Sequence, residues 1–341
     1  MKNLPDGGLK CYSCGMKRSL QATGLAVSLF VAQAAVAQTG PAMVLVPWFG
    51  DHRTEVADDV FFTPTEADVT GADVDLSIFT SSGRFLLDAD SSHQPTIGYE
   101  AVQYEIGSPD AALPDDLTDL SLSLGGSFGN VDLGESFGGE WQLGYTLGLG
   151  YAGVTPFNDG DAWYGQGDLF AVKTIDRDTR WLVGLNYDGN RVFLPDVPLP
   201  VVAYFGRLNE TTTYGIGLPF STLTWTPDEF WTLDLRAILF FNLNGTLSYQ
   251  ATEDLRFFAS FARRNDAFTL QNAGDNRRLL FSQDRIELGL TYDLSDRVAL
   301  TVAGGWAFNQ AFDVGFDSRD PQGLRDLDDS GYIRGGFELK F

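Results

Sequence analysis

The chain has 341 residues, with 23 basic against 46 acidic side chains and a formal net charge of −23. That balance argues against nucleic-acid binding, which needs a basic surface, and suits solvated acidic loops or cation binding. The 38 glycines and 13% aromatics favour strands and tight turns over helices.

The N-terminus has the pattern of an export signal. Met16-Lys17-Arg18 is a basic start, Leu20 to Val36 an apolar core, and Ala35-Val36-Ala37 a small-x-small cleavage site before Gln38. Residues 1–37 are therefore expected to be a cleaved signal peptide, with Met16 as a possible true initiator. Cys11-Tyr12-Ser13-Cys14 has redox or zinc spacing, but it lies upstream of the signal core without a second pair. The mature chain then contains no cysteine. It has no disulfide and no lipoprotein acylation site.

Residues 38–71 are poorly patterned and read as an N-terminal lead or plug, in which Met43 to Phe49 could be a short strand. Residues 72–341 read as one strand-built domain. Val74, Leu76 and Ile78 alternate with Asp73, Asp75 and Ser77. Leu120, Leu122 and Leu124 oppose Asp119, Ser121 and Ser123. In Trp141–Tyr151 (WQLGYTLGLGY) the odd positions are aromatic or leucine and the even ones small or polar. Trp181–Tyr187, Trp231–Arg236, Phe241–Tyr249, Leu255–Phe261, Ile286–Asp293 and Val298–Phe308 repeat the pattern. Thr96–Ile106, Trp163–Lys173 and Pro200–Leu208 have mixed faces, and Pro219 interrupts Thr213–Trp225. Ala251–Asp254 and Leu294–Arg297 are tight turns, whereas Asn265–Gln283 and Asn309–Ser330 read as long polar loops.

Alternation of this kind fits a soluble sandwich or a membrane barrel. Lipid is favoured by the eleven-residue run at Trp141, which matches the roughly 9–11 residues of a tilted membrane strand. It is also favoured by aromatics at run ends and by polar or very small residues on the opposite face. The expectation is an all-β, antiparallel transmembrane up-and-down barrel of about 12–14 strands.

The final stretch, GYIRGGFELKF, places Ile333, Phe337, Leu339 and the terminal Phe341 on one face. It resembles the last strand of bacterial outer-membrane β-barrel proteins. That resemblance implies that these four residues act as an assembly signal read by the barrel-assembly machinery, with outer-membrane lipid as surroundings and the bacterial cell outer membrane as destination. LPDDLTDLSLSLGG and LPFSTLTWTPDEFWTLDL also resemble an uncharacterised outer-membrane barrel family of unknown function. Gly335 interrupts the apolar series.

On the face opposite the apolar one, Asp234, Arg236, Arg256, Arg285, Glu287, Asp293, Arg334, Glu338 and Lys340 are candidates to line a lumen, or to knit a closed one by cross-strand pairing. Asp326, Asp328 and Ser330 resemble the opening of a calcium loop, but position twelve is Phe337 rather than glutamate. Asn158 to Asp161 is an equally weak cation candidate. Only His52 and His93 exist, and Ser91-Ser92-His93 is a sequence cluster, not a triad. No nucleotide or cofactor motif occurs, so the chain is read as a non-enzyme without cofactor. The expected function is passive diffusion of small polar solutes. A closed structural or adhesive barrel acting through its loops is the alternative, and a barrel hydrolase comes third.

Overall fold

The computed structural model describes residues 55–67, 72–88, 91–108, 112–238, 242–270 and 277–340. The segment read as a signal peptide, with Cys11 and Cys14, and Met43 to Phe49, His52 and Phe341 lie outside them. For residues 55–67 only the backbone path is described.

Successive alternating runs separated by turn residues fold into one antiparallel meander. Its strands are β1 (Glu55–Ala67), β2 (Ala72–Leu86), β3 (Thr96–Gly107), β4 (Asp116–Asp132), β5 (Glu140–Gly153) and β6 (Trp163–Thr174). There follow β7 (Arg180–Asp188), β8 (Leu199–Asn209), β9 (Thr212–Leu218), β10 (Phe220–Trp225), β11 (Trp231–Ile238) and β12 (Asn242–Gln250). The last are β13 (Leu255–Thr269), β14 (Arg278–Ser295), β15 (Val298–Gly315), β16 (Gln322–Leu327) and β17 (Ser330–Lys340). Each strand pairs with the next from β1 to β15. β16 and β17 lie in succession along the far edge of β15, and both also pair with β1. The pairing is therefore circular, and the sheet is a barrel with sixteen wall positions.

That count exceeds the expected 12–14 for two reasons. β1 falls within the stretch read as lead. The run around Pro219 is two strands, with Thr222 opposite Gly215 and Trp225 opposite Thr212, folded back at Pro219. Glu55 and Lys340 pair at one end of the barrel, here called proximal; the other is distal.

The outer surface between the ends is apolar. On β14, Leu288 is 71% exposed while its neighbour Glu287 is 4% exposed. Leu122, Leu124, Leu147, Leu149, Leu185, Ile216, Leu243, Val302 and Ile333 are exposed in the same way on their strands. No soluble protein surface tolerates an apolar belt of that extent.

Toward the distal end the alternation reverses. On β2, Phe79 and Phe85 are exposed and Thr80, Ser82 and Arg84 buried, but beyond them Val74, Leu76 and Ile78 are fully buried and Asp75 is exposed. β3 repeats this, with Val102, Tyr104 and Ile106 buried and Gln103 and Glu105 exposed. Val74, Leu76 and Ile78 thus lie on the inner face, not on the lipid-facing side expected of an apolar run. The reason is height: above the lipid the outside is water, so the apolar side chains gather within. There they join Leu117, Phe268, Leu279, Phe281, Phe312 and Leu327 in one core. Fully burying such a side chain is worth about 1.5–3 kcal/mol. The same logic corrects the two long polar loops. β13 runs to Thr269, β14 starts at Arg278 and β15 runs to Gly315. Much of the sequence expected as loop is strand standing above the apolar belt.

The distal hairpin β13–β14 also leans across the bore. Phe268 and Phe281 meet the Tyr104 ring edge-on, each with centroids 5.2 Å apart. Thr269 pairs in parallel with Gly153 of β5, a strand far from β13 around the ring. The β14–β15 register shifts between Ser282 and Asp284, a bulge of the kind that bends strands.

Candidate functional site: the barrel interior

With β13 on β5, the distal interior is divided into two halves. The half bounded by β13–β17 and β1–β5 is packed. Glu287 accepts hydrogen bonds from Arg334 Nη2 at 2.8 Å and Nε at 3.1 Å, from Tyr332 at 3.0 Å and from Ser260 at 3.0 Å. Asp266 accepts from Tyr104 and from Arg264. Arg285 is buried near Glu287 and Glu100 near Arg264, and Arg84 is buried nearer the proximal end. Gln283, Gln310 and Ser330 continue the network. Charges held with so little exposure need partners on every side, so this half is filled with side chains.

Inward glycines make room for the larger groups. A Cβ on Gly150 would stand 2.1 Å from the Tyr164 ring, and one on Gly305 2.7 Å from that of Tyr332. Tyr164 donates to Asp119 at 2.7 Å, and Asn190 donates to Asp119 at 3.1 Å and to the Ala267 carbonyl at 3.0 Å. These bonds tie β4, β6, β13 and the segment after β7 together.

That segment, residues 189–198, crosses the distal mouth. Arg278 Nη1 donates to the Asn190 carbonyl at 3.2 Å, Nη2 to the Arg191 carbonyl at 3.0 Å and Nε to the Phe316 carbonyl at 2.8 Å. Ser318 N donates to the Val192 carbonyl at 2.9 Å, and Leu194 N to Asp317 at 3.2 Å. Burial pushes the Asp317 carboxyl up, but the Arg319 guanidinium and the amides of Arg319 and Leu194 outweigh it and hold it below its usual range.

In the other half, bounded by β5–β13, several inward polar groups keep partial exposure, while Thr146, Gln166 and Ser248 are buried. Asp234 accepts from Thr224 at 2.7 Å. Asp234, Arg236, Asn244, Thr246, Arg256 and Ser260 are all half-buried on β11–β13. Across from them, Phe170, Val172, Leu182, Val201, Ala203 and Phe205 form an apolar cluster with Phe220 against it.

The sequence candidates therefore separate. Asp234, Arg236 and Arg256 sit on the half-open wall. Arg285, Glu287 and Arg334 belong to the packed network. Asp293 and Glu338 lie near the proximal end, where Glu338 meets Lys340 at 3.1 Å. Ile333 and Phe337 are exposed on the outer face of β17, and Leu339 is half-buried. Asp326 and Asp328 are exposed while Ser330 is buried against Gln310, so the three do not converge. Asp159 accepts from the Asp161 amide at 3.0 Å and caps a single short turn. The His93 ring meets the Ser127 carbonyl at 2.8 Å, and Ser91 Oγ accepts from the His93 amide at 3.1 Å, not from the ring. The bonds joining Asp119, Tyr164, Asn190 and Arg278 were invisible to strand-by-strand reading, because they span 45 or more residues.

No family model matches the chain, and no curated protein does. Among solved structures it is similar to a deletion mutant of the monoaromatic hydrocarbon channel TodX, at 12% identity over 91% of this chain and 94% of that one, with TM-score 0.41. The Pseudomonas putida toluene transporter TodX follows at 11% identity over 91% and 94% of the two chains, with TM-score 0.38. The translocator domain of the autotransporter NalP from Neisseria meningitidis is 11% identical over 85% and 88%, with TM-score 0.30. Likeness at this level assigns no activity.

Proposed function

We propose that this chain is a bacterial outer-membrane barrel that lets small solutes diffuse through the β5–β13 half of its bore. A circular sheet with an apolar exterior pairs each strand with a neighbour on both sides, which is what lipid demands of strands. The observation that carries the transport reading is the asymmetry of the interior. Asp234, Arg236, Asn244, Thr246 and Arg256 on β11–β13 keep partial exposure, whereas Arg264 and Asp266 farther along β13 and the inward charges of β14 and β17 are buried in ion pairs and hydrogen bonds. Asp234, Arg236 and Arg256 then set the field along the path.

Planar-bilayer recording of the purified, folded protein tests this. Small ohmic steps are expected, with an ion preference that shifts in Arg236→Gln. Folded protein that never conducts would remove the reading. The closed structural barrel is the second reading, favoured by the segment bound across the distal mouth, and silent bilayers would support it.

A further inference from the structure

The wall has uneven height. β14 and β15 have 18 residues each, but β9 has 7 and β10 has 6, joined by the single residue Pro219. At about 3.3 Å per residue and a tilt of about 40°, the β9–β10 hairpin rises roughly 15–18 Å, against an apolar band of about 25 Å.

The proximal end of the hairpin is fixed at the water interface. Trp225 and Trp231 flank the turn Thr226–Phe230, which carries Asp228 and Glu229. The shortfall is therefore distal, at Leu218-Pro219-Phe220. Turns favour glycine, proline, asparagine, aspartate and serine; here Pro219 is flanked by the large apolar Leu218 and Phe220, with Ile216 and Leu218 exposed outward. The adjoining strand rises higher: β8 continues above its last pair with β9, Val202 with Leu218, for three residues. Pro200 stands in that unpaired edge and has no N–H to leave unsatisfied in lipid.

The inner face behind this dip is mostly apolar and closely packed, with the Thr222 hydroxyl the polar group beside Gly215. Gly215 and Gly217 carry no side chain, and Cβ atoms there would stand 2.7 Å from the Phe205 ring and 2.6 Å from the Ala203 Cβ. Phe220 points inward with its ring centroid 6.0 Å from that of Phe205, at the edge of the apolar cluster on β6–β8. Leu218, Pro219, Phe220 and Phe205 thus form an apolar path over the turn, with the Ser221 hydroxyl beside it accepting from the Gly217 amide at 3.4 Å.

We infer that the β9–β10 dip is a lateral portal through which small apolar molecules dissolved in the outer leaflet reach the Phe170–Phe205–Phe220 cluster. The inference rests on the membrane placement proposed above, and it names a ligand class for that half of the bore. The segment over the distal mouth makes a sideways route the less obstructed one.

Single cysteines test it in the mature chain, which has none of its own. Leu218→Cys, Phe220→Cys, Thr222→Cys and Thr246→Cys carry an NBD fluorophore in phosphatidylcholine vesicles. A doxyl-labelled alkane serves as the apolar probe, and iodide as the aqueous quencher. Labels at 218 and 220 should be quenched several-fold more by the alkane than the label at 246. Thr222→Cys, nearly isosteric and inward-facing, replaces Phe220→Cys if the latter fails to fold. Inward labels that track position 246 would mean a sealed wall and overturn the inference. So would a label at 218 that iodide reaches first. A barrel that never conducts yet shows this quenching would remove the diffusion reading and leave the portal standing.

Discussion

Glu287→Gln removes one charge from the packed half and leaves two guanidinium groups facing it. Glu287 is only 4% exposed and accepts four hydrogen bonds, two from Arg334. Breaking one side of a buried ion pair typically costs about 3–5 kcal/mol, because the surviving charge is stranded. A glutamine of equal shape still accepts on one oxygen but offers its amide to donors, so the cost should fall near that range. Asp178 and Arg207 provide the internal comparison. They meet at 3.5 Å, with side chains 45% and 27% exposed. Exposed pairs are worth about 0–1 kcal/mol. Reversible urea unfolding in vesicles should therefore show Glu287→Gln losing several times more stability than Asp178→Asn. High salt should shrink the second loss and not the first. In a double-mutant cycle, Arg334→Met should recover much of the Glu287→Gln cost. Equal losses for the two variants, or independence of Glu287 from Arg334, would refute a desolvated pair.

Gly150→Ala forces a Cβ to within 2.1 Å of the Tyr164 ring, whereas Gly335→Ala meets nothing within 4 Å; the first should cost about 1–3 kcal/mol by overpacking, the second almost nothing, by urea midpoint. Arg278→Met leaves two carbonyls of the crossing segment, Asn190 and Arg191, and that of Phe316 without their shared donor. Amide exchange across residues 189–198 should speed up and bilayer conductance should rise, with core-strand exchange unchanged. Because the Asp317 carboxyl is held below its usual range in the folded chain, its contribution is complete above the unfolded value of about 3.9 and is lost as pH falls below it. Protection of the Leu194 amide should therefore persist at neutral pH and fade in acid.

The lipid-facing residues were legible because one face of each run had to be apolar over a fixed length. Leu120–Leu124, Trp141–Leu149 and Ile286–Tyr292 carry that signal by themselves. Val74–Ile78 carries the same local signal with the opposite meaning, since periodicity reports that a face is apolar but not which side of the barrel it occupies. Only the acidic outer positions, Asp75 and Glu105, hint that these strand ends stand in water. The hairpin at Pro219 was hidden because a one-residue connection looks like an interrupted strand. Among interior residues, the inward parity of Arg285, Glu287 and Arg334 was readable, but their sealing was not. Closure depends on β13 reaching β5 and Asn190 reaching Asp119, contacts that no window of sequence contains.

The account stands on which side each residue of β2 faces and in what medium. Nitroxides placed one at a time from Val74 to Phe85, in vesicles, report access to oxygen in lipid and to nickel chelate in water. Phe79, Ser81, Gly83 and Phe85 should answer to oxygen, Asp75 and Ser77 to nickel, and Val74, Leu76 and Ile78 to neither. Strong oxygen access at Val74, Leu76 and Ile78 would turn the strand inside out and contradict the structure described.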